Sequence, residues 1–364
     1  MSGEPGLILL LGSGETAPGA QKIYHWLFSQ IRARTGEDVR IAILETPAGF
    51  EPNSDYVAGQ VGSYITKRLQ NFRPQVQIVP ARKKGTAHSP DDPALAEMLY
   101  TADVIFLGPG SPTYVVRQLR NSLLWETLRA CHRAGAALML ASAATLAFSR
   151  YTMPVYEVYK VGEDLHWKPG LDFFDDFGLA TVFVSHWNNR DGGDVLDTSR
   201  CYFGQQRFEQ MVQLLPGGLE ANTIVGIDEN TALVIDPGSP SWQVMGPGTV
   251  TIRDHHATAT YATGVIRPLS DFGAYAVPAP LQQGIAGSVW QATLEGRRAA
   301  AAARAALPHP TADVLATVAA RETARAAHDW PESDRLRDAL RDLGWQVQDT
   351  ADGPLLTWMK GSAG

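Results

Sequence analysis

The chain has 364 residues, 45% of them hydrophobic, and a formal net charge of −7. That length and apolar content suit one large α/β domain with a smaller appendage, and the acidic balance excludes a global basic field for nucleic acid or an anionic membrane. The longest apolar runs are far too short to span a bilayer and no cationic leader precedes them; two cysteines make neither a disulfide framework nor a metal cluster, so a reduced cytoplasm is the expected setting.

Residues 6–11 (GLILLL) form a continuous apolar run, the pattern of a strand covered on both faces of a parallel sheet. The run ends in Gly12-Ser13-Gly14-Glu15-Thr16, a loop at the carboxyl end of the strand, where open α/β sheets bind ligands. A helical pattern over 21–35 leads to a second buried strand, 39–44, closed by Glu45-Thr46-Pro47. Further on come a helix over 56–72, a strand over 76–79 and a helix over 91–100 opened by Asp91, Asp92 and Pro93. The strand 103–107 (DVIFL) precedes Gly108-Pro109-Gly110-Ser111-Pro112-Thr113, and helices follow over 114–119 and 124–134.

Residues 136–148 (AALMLASAATLAF) read as a buried strand, a sharp turn at Ser142 and a helix opened by Ala143 and Ala144. A serine on such a turn stands proud of the sheet, with free backbone N–H groups and a positive dipole end behind it. This is the geometry of a nucleophile elbow, G-x-S-x-G, with Leu140 and Ala144 at the two glycine positions. The plainer alternative is a buried serine capping an ordinary helix.

An irregular polar and aromatic segment fills 151–177, and a strand over 179–184 ends in Ser185-His186-Trp187-Asn188-Asn189-Arg190. A helix over 202–215 and a strand over 223–227 follow, the latter ending in Asp228-Glu229-Asn230. Three runs separated by Pro/Gly turns then suggest an antiparallel meander ending near Ile252. The pattern as a whole predicts a doubly wound, mostly parallel sheet over 1–262. A Pro/Ala-rich linker is expected over 263–311. The tail, 312–360, reads as an antiparallel helical hairpin whose last residues suit a small β ribbon.

Ser142, His186 and Glu229 each follow a separate buried strand, and loops at the carboxyl ends of parallel strands converge. Together they offer a hydroxyl, a base and an orienting carboxylate, the parts of a catalytic triad. Gly110 and Ala143 are the natural pair of N–H donors for an oxyanion. Glu15 and Ser111, in loops on the same edge, are expected substrate contacts. Lys168, Arg190 and Arg207 are expected to meet a carboxylate on the substrate. His166 sits in a charged loop with Glu163, Asp164 and Lys168 that is either one wall of the cleft or a self-paired surface loop. His255-His256 lacks partners at metal-ligand spacing, Cys201 reads better as a small buried residue than as a thiol nucleophile, and neither glycine-rich loop matches a phosphate-binding motif. No metal or cofactor is expected.

Gly108-Pro109-Gly110-Ser111 with Tyr114 and Leu119, the Ser142-Ala143 elbow, the strand ending at His186, and Gly226-Ile227-Asp228-Glu229-Asn230-Thr231-Ala232 follow a known motif order. It resembles that of the cyanophycinase and aspartyl dipeptidase serine peptidases, over roughly residues 6–253. The resemblance implies a class I glutamine amidotransferase-like, flavodoxin-like fold and a triad of Ser142, His186 and Glu229. The cyanophycinase branch places acidic and amide residues just before the histidine, where this chain has Val184 and Ser185. In the tail, Arg321, Ala324-Arg325, Asp329-Trp330, Asp334-Arg335-Leu336-Arg337-Asp338, Leu340, Gly344-Trp345 and Asp349-Thr350 with Gly353 are similar to the C-terminal helical domain of cysteinyl-tRNA synthetases, which helps to hold tRNA. Yet 312–360 carries six Lys/Arg against nine Asp/Glu, a poor footprint for a polyanion.

The expectation is thus a cytoplasmic serine hydrolase that cleaves a small peptide, isopeptide or amide through an acyl-enzyme, with an acidic residue in the substrate. The alternative is a catalytically degraded amidotransferase-like protein that binds tRNA or a protein partner through its tail. Homodimerisation through the tail is a further expectation.

Overall fold

The computed structural model of the chain describes residues 4–36, 38–306, 308, 310–350 and 353–359; Lys360, the last residue assigned to the tail hairpin, lies outside them. The chain forms two compact units, one reaching to Arg298 and the other beginning at Ala299.

The first unit opens with alternating strands and helices: β1 (Ile8–Leu11), α1 (Ala20–Thr35), β2 (Arg40–Leu44), α2 (Ser54–Arg68), β3 (Gln75–Val79), α3 (Pro93–Glu97), β4 (Val104–Leu107), α4 (Pro112–Leu119), α5 (Leu123–Arg133), β5 (Ala137–Ala141) and α6 (Ala143–Ala147). The five strands lie parallel in the order β1-β5-β4-β2-β3. Successive side chains point to opposite faces, so Ile8 and Leu10 enter one core while Leu9 and Leu11 enter another beneath α1 and α2. Ser111 and Ser122 accept the Tyr114 and Trp125 N–H groups and so start α4 and α5 at defined points.

Beyond α6 the chain makes a short ladder of β6 (Tyr151–Thr152) with β7 (Lys168–Pro169), with one π-helical turn over Glu157–Val161 between them. Then come β8 (Thr181–Val184), α7 (Gly204–Gln213), β9 (Thr223–Ile227), β10 (Ala232–Asp236), β11 (Ser241–Met245), β12 (Thr249–Arg253), β13 (Thr258–Ala262), β14 (Ile266–Pro268) and α8 (Gly287–Ala305). These strands correct the expected meander. β10 and β11 run antiparallel and, with β14, extend the large sheet past β1, whereas β8, β9, β12 and β13 form a second sheet. Phe183, Val225, Val250 and Ile252 of the second sheet share a core with Leu233, Ile235 and Trp242 of the first, while Val182, Val184 and Ile224 face Phe208 and Met211 of α7. A strand buried between two layers reads as a continuous apolar run whichever sheet it joins, so sequence pattern does not separate the two.

Residues 263–298, linker-like in composition, pack on the first unit. Leu269, Phe272, Ile285 and Trp290 are buried. The Arg133 guanidinium, itself 1% exposed, donates to the carbonyls of Leu281 and Gln283 and pairs with Asp176. The second unit contains α9 (Ala312–Ala326), α10 (Trp330–Asp342) and an antiparallel ribbon of β15 (Trp345–Thr350) with β16 (Gly353–Trp358). Its core is formed by Val314, Val318, Leu340, Trp345, Val347 and Leu356.

Candidate active site

Strand register decides what meets at the carboxyl edge of the large sheet. Leu11 pairs with Ala141, Leu107 with Leu140, and Leu44 with Leu107. The next residues on each strand therefore place Gly12, Gly108 and Glu45 around the turn at Ser142. Leu140, at the first glycine position of the elbow motif, is fully buried in the same core as Ala144 and Phe148. The Thr145 hydroxyl donates to the carbonyls of Leu11 and Leu140, which ties the start of α6 to both strands. Ser142 itself takes φ 51° and ψ −109° and makes no capping hydrogen bond with its side chain, unlike Ser111 and Ser122.

His186 comes from the second sheet. Its backbone N–H donates to the Gly12 carbonyl at 3.2 Å, which fastens the end of β8 to the end of β1. Ser142 Oγ lies 2.9 Å from His186 Nε2, and His186 Nδ1 lies 2.7 Å from Glu229 Oε1. An ionised carboxylate only accepts, so Nδ1 carries the proton and Nε2 is left to accept the serine hydroxyl. The hydrogen bond from His186 holds the Glu229 carboxyl below its ordinary range, against the upward push of partial burial and with help from Asn189.

Two neighbours of this line escape sequence reasoning. Asn189 Nδ2 donates to the same Glu229 oxygen at 2.8 Å, and Asn188 Oδ1 accepts the Glu229 N–H at 2.8 Å. Both lie in the SHWNN segment, but nothing in residue type tells which amide turns inward. The Tyr202 ring packs 5.5 Å from the imidazole, and its hydroxyl donates to Asp191 at 3.3 Å. Tyr202 closes a run of three left-handed residues, Arg200, Cys201 and Tyr202, whose Arg200 and Cys201 N–H groups donate to the carbonyls of Trp187 and His186. Cys201 is buried, and burial pushes its thiol up to about 12, the opposite of what a thiolate nucleophile needs.

The expected substrate contacts are engaged as follows. Ser111 caps α4 and touches the Thr113 hydroxyl at 3.1 Å. Glu15 is half-buried and its carbonyl accepts the Tyr24 hydroxyl. His166 approaches Glu163 and the Asp164 carbonyl within its own loop, which Trp167 fastens to Met211. Lys168 pairs with Glu157 at 3.2 Å. Arg207 spends its guanidinium on the carbonyls of Tyr202 and Phe203, and Arg190 is exposed.

The mixed α/β fold, with its large, mostly parallel sheet, has a solved counterpart. The chain is similar in fold to a peptidase from an acI-B1 Actinobacterium, with a TM-score of 0.57 and 21% identity over 72% of this chain and 97% of that one. In the tail, residues 307–353 match the cysteinyl-tRNA ligase anticodon binding domain family. Over 45 residues the chain is 53% identical to the cysteine–tRNA ligase of Rubrobacter xylanophilus, covering 12% of this chain and 10% of that one. It is 56% identical over 45 residues to the enzyme of Pseudarthrobacter chlorophenolicus, covering 12% and 9%. The chain thus spans about a tenth of the length of the curated relatives it matches. Both parts of the sequence resemblance therefore meet a match, one in fold with a peptidase and one in sequence with a ligase domain over residues 307–353. Among the described residues, no helix is long and apolar enough to cross a membrane.

Proposed function

We propose that the chain is a serine hydrolase that cleaves a small peptide, isopeptide or amide bond through an acyl-enzyme. The observation that carries this reading is the Ser142–His186–Glu229 line, with links of 2.9 and 2.7 Å. In this mechanism Ser142 Oγ attacks the carbonyl carbon while its proton passes to His186 Nε2. The negative charge that develops on the carbonyl oxygen is met by the N–H groups of Gly110 and Ala143. Ala143 is the first helical residue and has no partner for its N–H within α6. The imidazolium gives its proton to the leaving nitrogen as the C–N bond breaks. Water then attacks the ester, His186 takes the water proton and returns one to Ser142 as the acid leaves. Glu229 fixes the imidazole tautomer and offsets the charge on the ring, and Asn189 fixes Glu229. Of the cations expected to meet an acidic substrate group, Arg190 is the exposed one, and the acidic-substrate reading rests on it.

A fluorophosphonate probe tests the assignment. The unmodified chain is expected to label covalently and Ser142→Ala to lose labelling with an unchanged far-ultraviolet circular dichroism spectrum. Equal labelling of the variant would remove Ser142 as the nucleophile.

For the tail we propose a protein partner rather than a tRNA. Each of the five arginines of α9 and α10 is paired: Arg321 with Asp349 and Glu322, Arg325 with Asp349, Arg335 with Glu332, Arg337 with Asp334 and Arg341 with Asp338. Phosphate recognition needs cationic charge left over. Gel shifts with bulk tRNA at 50 mM salt should show no retarded species; a salt-sensitive shift would reverse the preference.

A further inference from the structure

Glu45 is a carboxylate with 2% of its side chain exposed, at the end of β2, outside the serine–histidine–glutamate line. One of its oxygens accepts both the Ser54 hydroxyl at 2.7 Å and the Arg82 Nε–H at 2.6 Å. A buried charge of this kind is tolerated only where partners satisfy it, and these two come from α2 and from the segment after β3. The carboxylate thereby joins three pieces of chain at the sheet edge, and the short 3-10 turn Thr46–Ala48 is held among them. The Ala48 N–H donates to the Glu45 carbonyl, the Thr46 hydroxyl to the Ala81 carbonyl at 2.6 Å, and the Tyr114 hydroxyl of α4 to the Arg82 carbonyl at 2.9 Å.

What this turn touches gives the buried carboxylate its consequence. The Pro47 carbonyl accepts the Ser111 N–H at 3.0 Å, and a Cβ on Gly110 would lie 1.9 Å from that same oxygen. Gly110 adopts φ 146°, a conformation that L side chains rarely take. The Gly110 Cα and the Gly110–Ser111 peptide are therefore seated against the Pro47 carbonyl, and the Gly110 N–H, one bond from that Cα, depends for its direction on where the Thr46–Ala48 turn sits.

We propose that Glu45 is a positioning residue: through Ser54, Arg82 and the Thr46–Ala48 turn it fixes the Gly110 N–H that receives the developing oxyanion. This rests on the serine hydrolase reading above. The carboxylate touches neither substrate nor nucleophile. Its effect falls on transition-state stabilisation, because an oxyanion donor displaced by a fraction of an ångström leaves the serine and histidine in place and weakens only the bond that forms during attack.

The test is the rate of covalent labelling by a fluorophosphonate, split into its limiting rate constant and its apparent binding constant. Glu45→Gln keeps the shape and removes the charge. The limiting rate is expected to fall by about 10- to 100-fold with the binding constant unchanged, while thermal unfolding still reports a folded chain. Ser54→Ala, which removes one of the two donors and serves if Glu45→Gln fails to fold, is expected to show the same split with a smaller loss, about 3- to 10-fold. A limiting rate within twofold of the unmodified chain in a folded variant, or a loss confined to binding, would overturn the brace while leaving the hydrolase assignment standing. Absence of Ser142-dependent labelling in the unmodified chain would remove the hydrolase reading and the brace with it.

Discussion

At Ser142 the backbone takes φ 51° and ψ −109°, a conformation that costs a residue with a Cβ on the order of 1–3 kcal/mol. Nothing local favours it: the side chain makes no cap, and β5 and α6 on either side are regular and buried. Strain of this kind persists only where surrounding packing over-determines it, here by the Ser142 N–H on the Leu11 carbonyl and by Thr145 on two strand ends. The elbow can therefore be tested without assaying turnover. Ser142→Ala removes the hydroxyl and keeps the Cβ; Ser142→Gly removes both. Glycine meets no steric penalty at positive φ, so Ser142→Gly should be the more stable of the two by about 1 kcal/mol. Urea midpoints compared at equal slope measure the difference. Equal midpoints, or a more stable alanine variant, would mean that the turn is relaxed and that its geometry says nothing about a nucleophile.

At the scale of elements, the histidine is placed by a contact between sheets. Gly226 in β9 lies under Trp187, the residue after His186, and a Cβ added there would sit 2.2 Å from the indole. The Trp187 N–H donates to the Ile227 carbonyl, and the Arg200 guanidinium lies over the ring at 3.9 Å. A methyl group at 226 has no free space to enter, and the indole has to move. Gly226→Ala should therefore cost about 1–3 kcal/mol of stability and slow Ser142 labelling by about 10- to 100-fold. An unchanged labelling rate would show that His186 is held independently of the indole. This contact also marks the limit of what the residues disclose in advance. The apolar runs and the polar loops that follow them, which hold Ser142 after β5, His186 after β8 and Glu229 after β9, can be read from the sequence pattern, because each buried strand must hand over to a polar loop. That β8 and β9 leave the large sheet while β10 and β11 join it cannot be read, since strands between two layers share one pattern. Asn189 and Glu45 stay hidden for another reason. An amide beside another amide and a glutamate at a strand end are ordinary in sequence, and only the fold shows which of them turns inward.

Among the described residues the tail closes a core of its own, separate from those that pack the strands and helices before it. The tail buries Val314, Val318, Leu340, Trp345, Val347 and Leu356, and ties Arg321, 3% exposed at its side chain, to Asp349 of β15 by two hydrogen bonds. A unit of this size supplies little more than about 3–5 kcal/mol from its core. Truncating one fully buried leucine costs about 2–5 kcal/mol, enough to unfold it. Leu340 is 0% exposed and central to that core, so Leu340→Ala should abolish the tail's folded structure at 37 °C. The residues around Ser142 draw their packing from other cores, and the labelling rate should stay within twofold of the unmodified chain. Limited proteolysis reads the first effect, as cleavage confined to the region after residue 310, and fluorophosphonate labelling reads the second. Labelling that collapses together with the tail would make the ligase-like segment a structural support of the active site. Labelling that persists would leave it an appended module whose purpose lies in what it binds, and its arginines, each already matched to a carboxylate, direct that search toward proteins before nucleic acids.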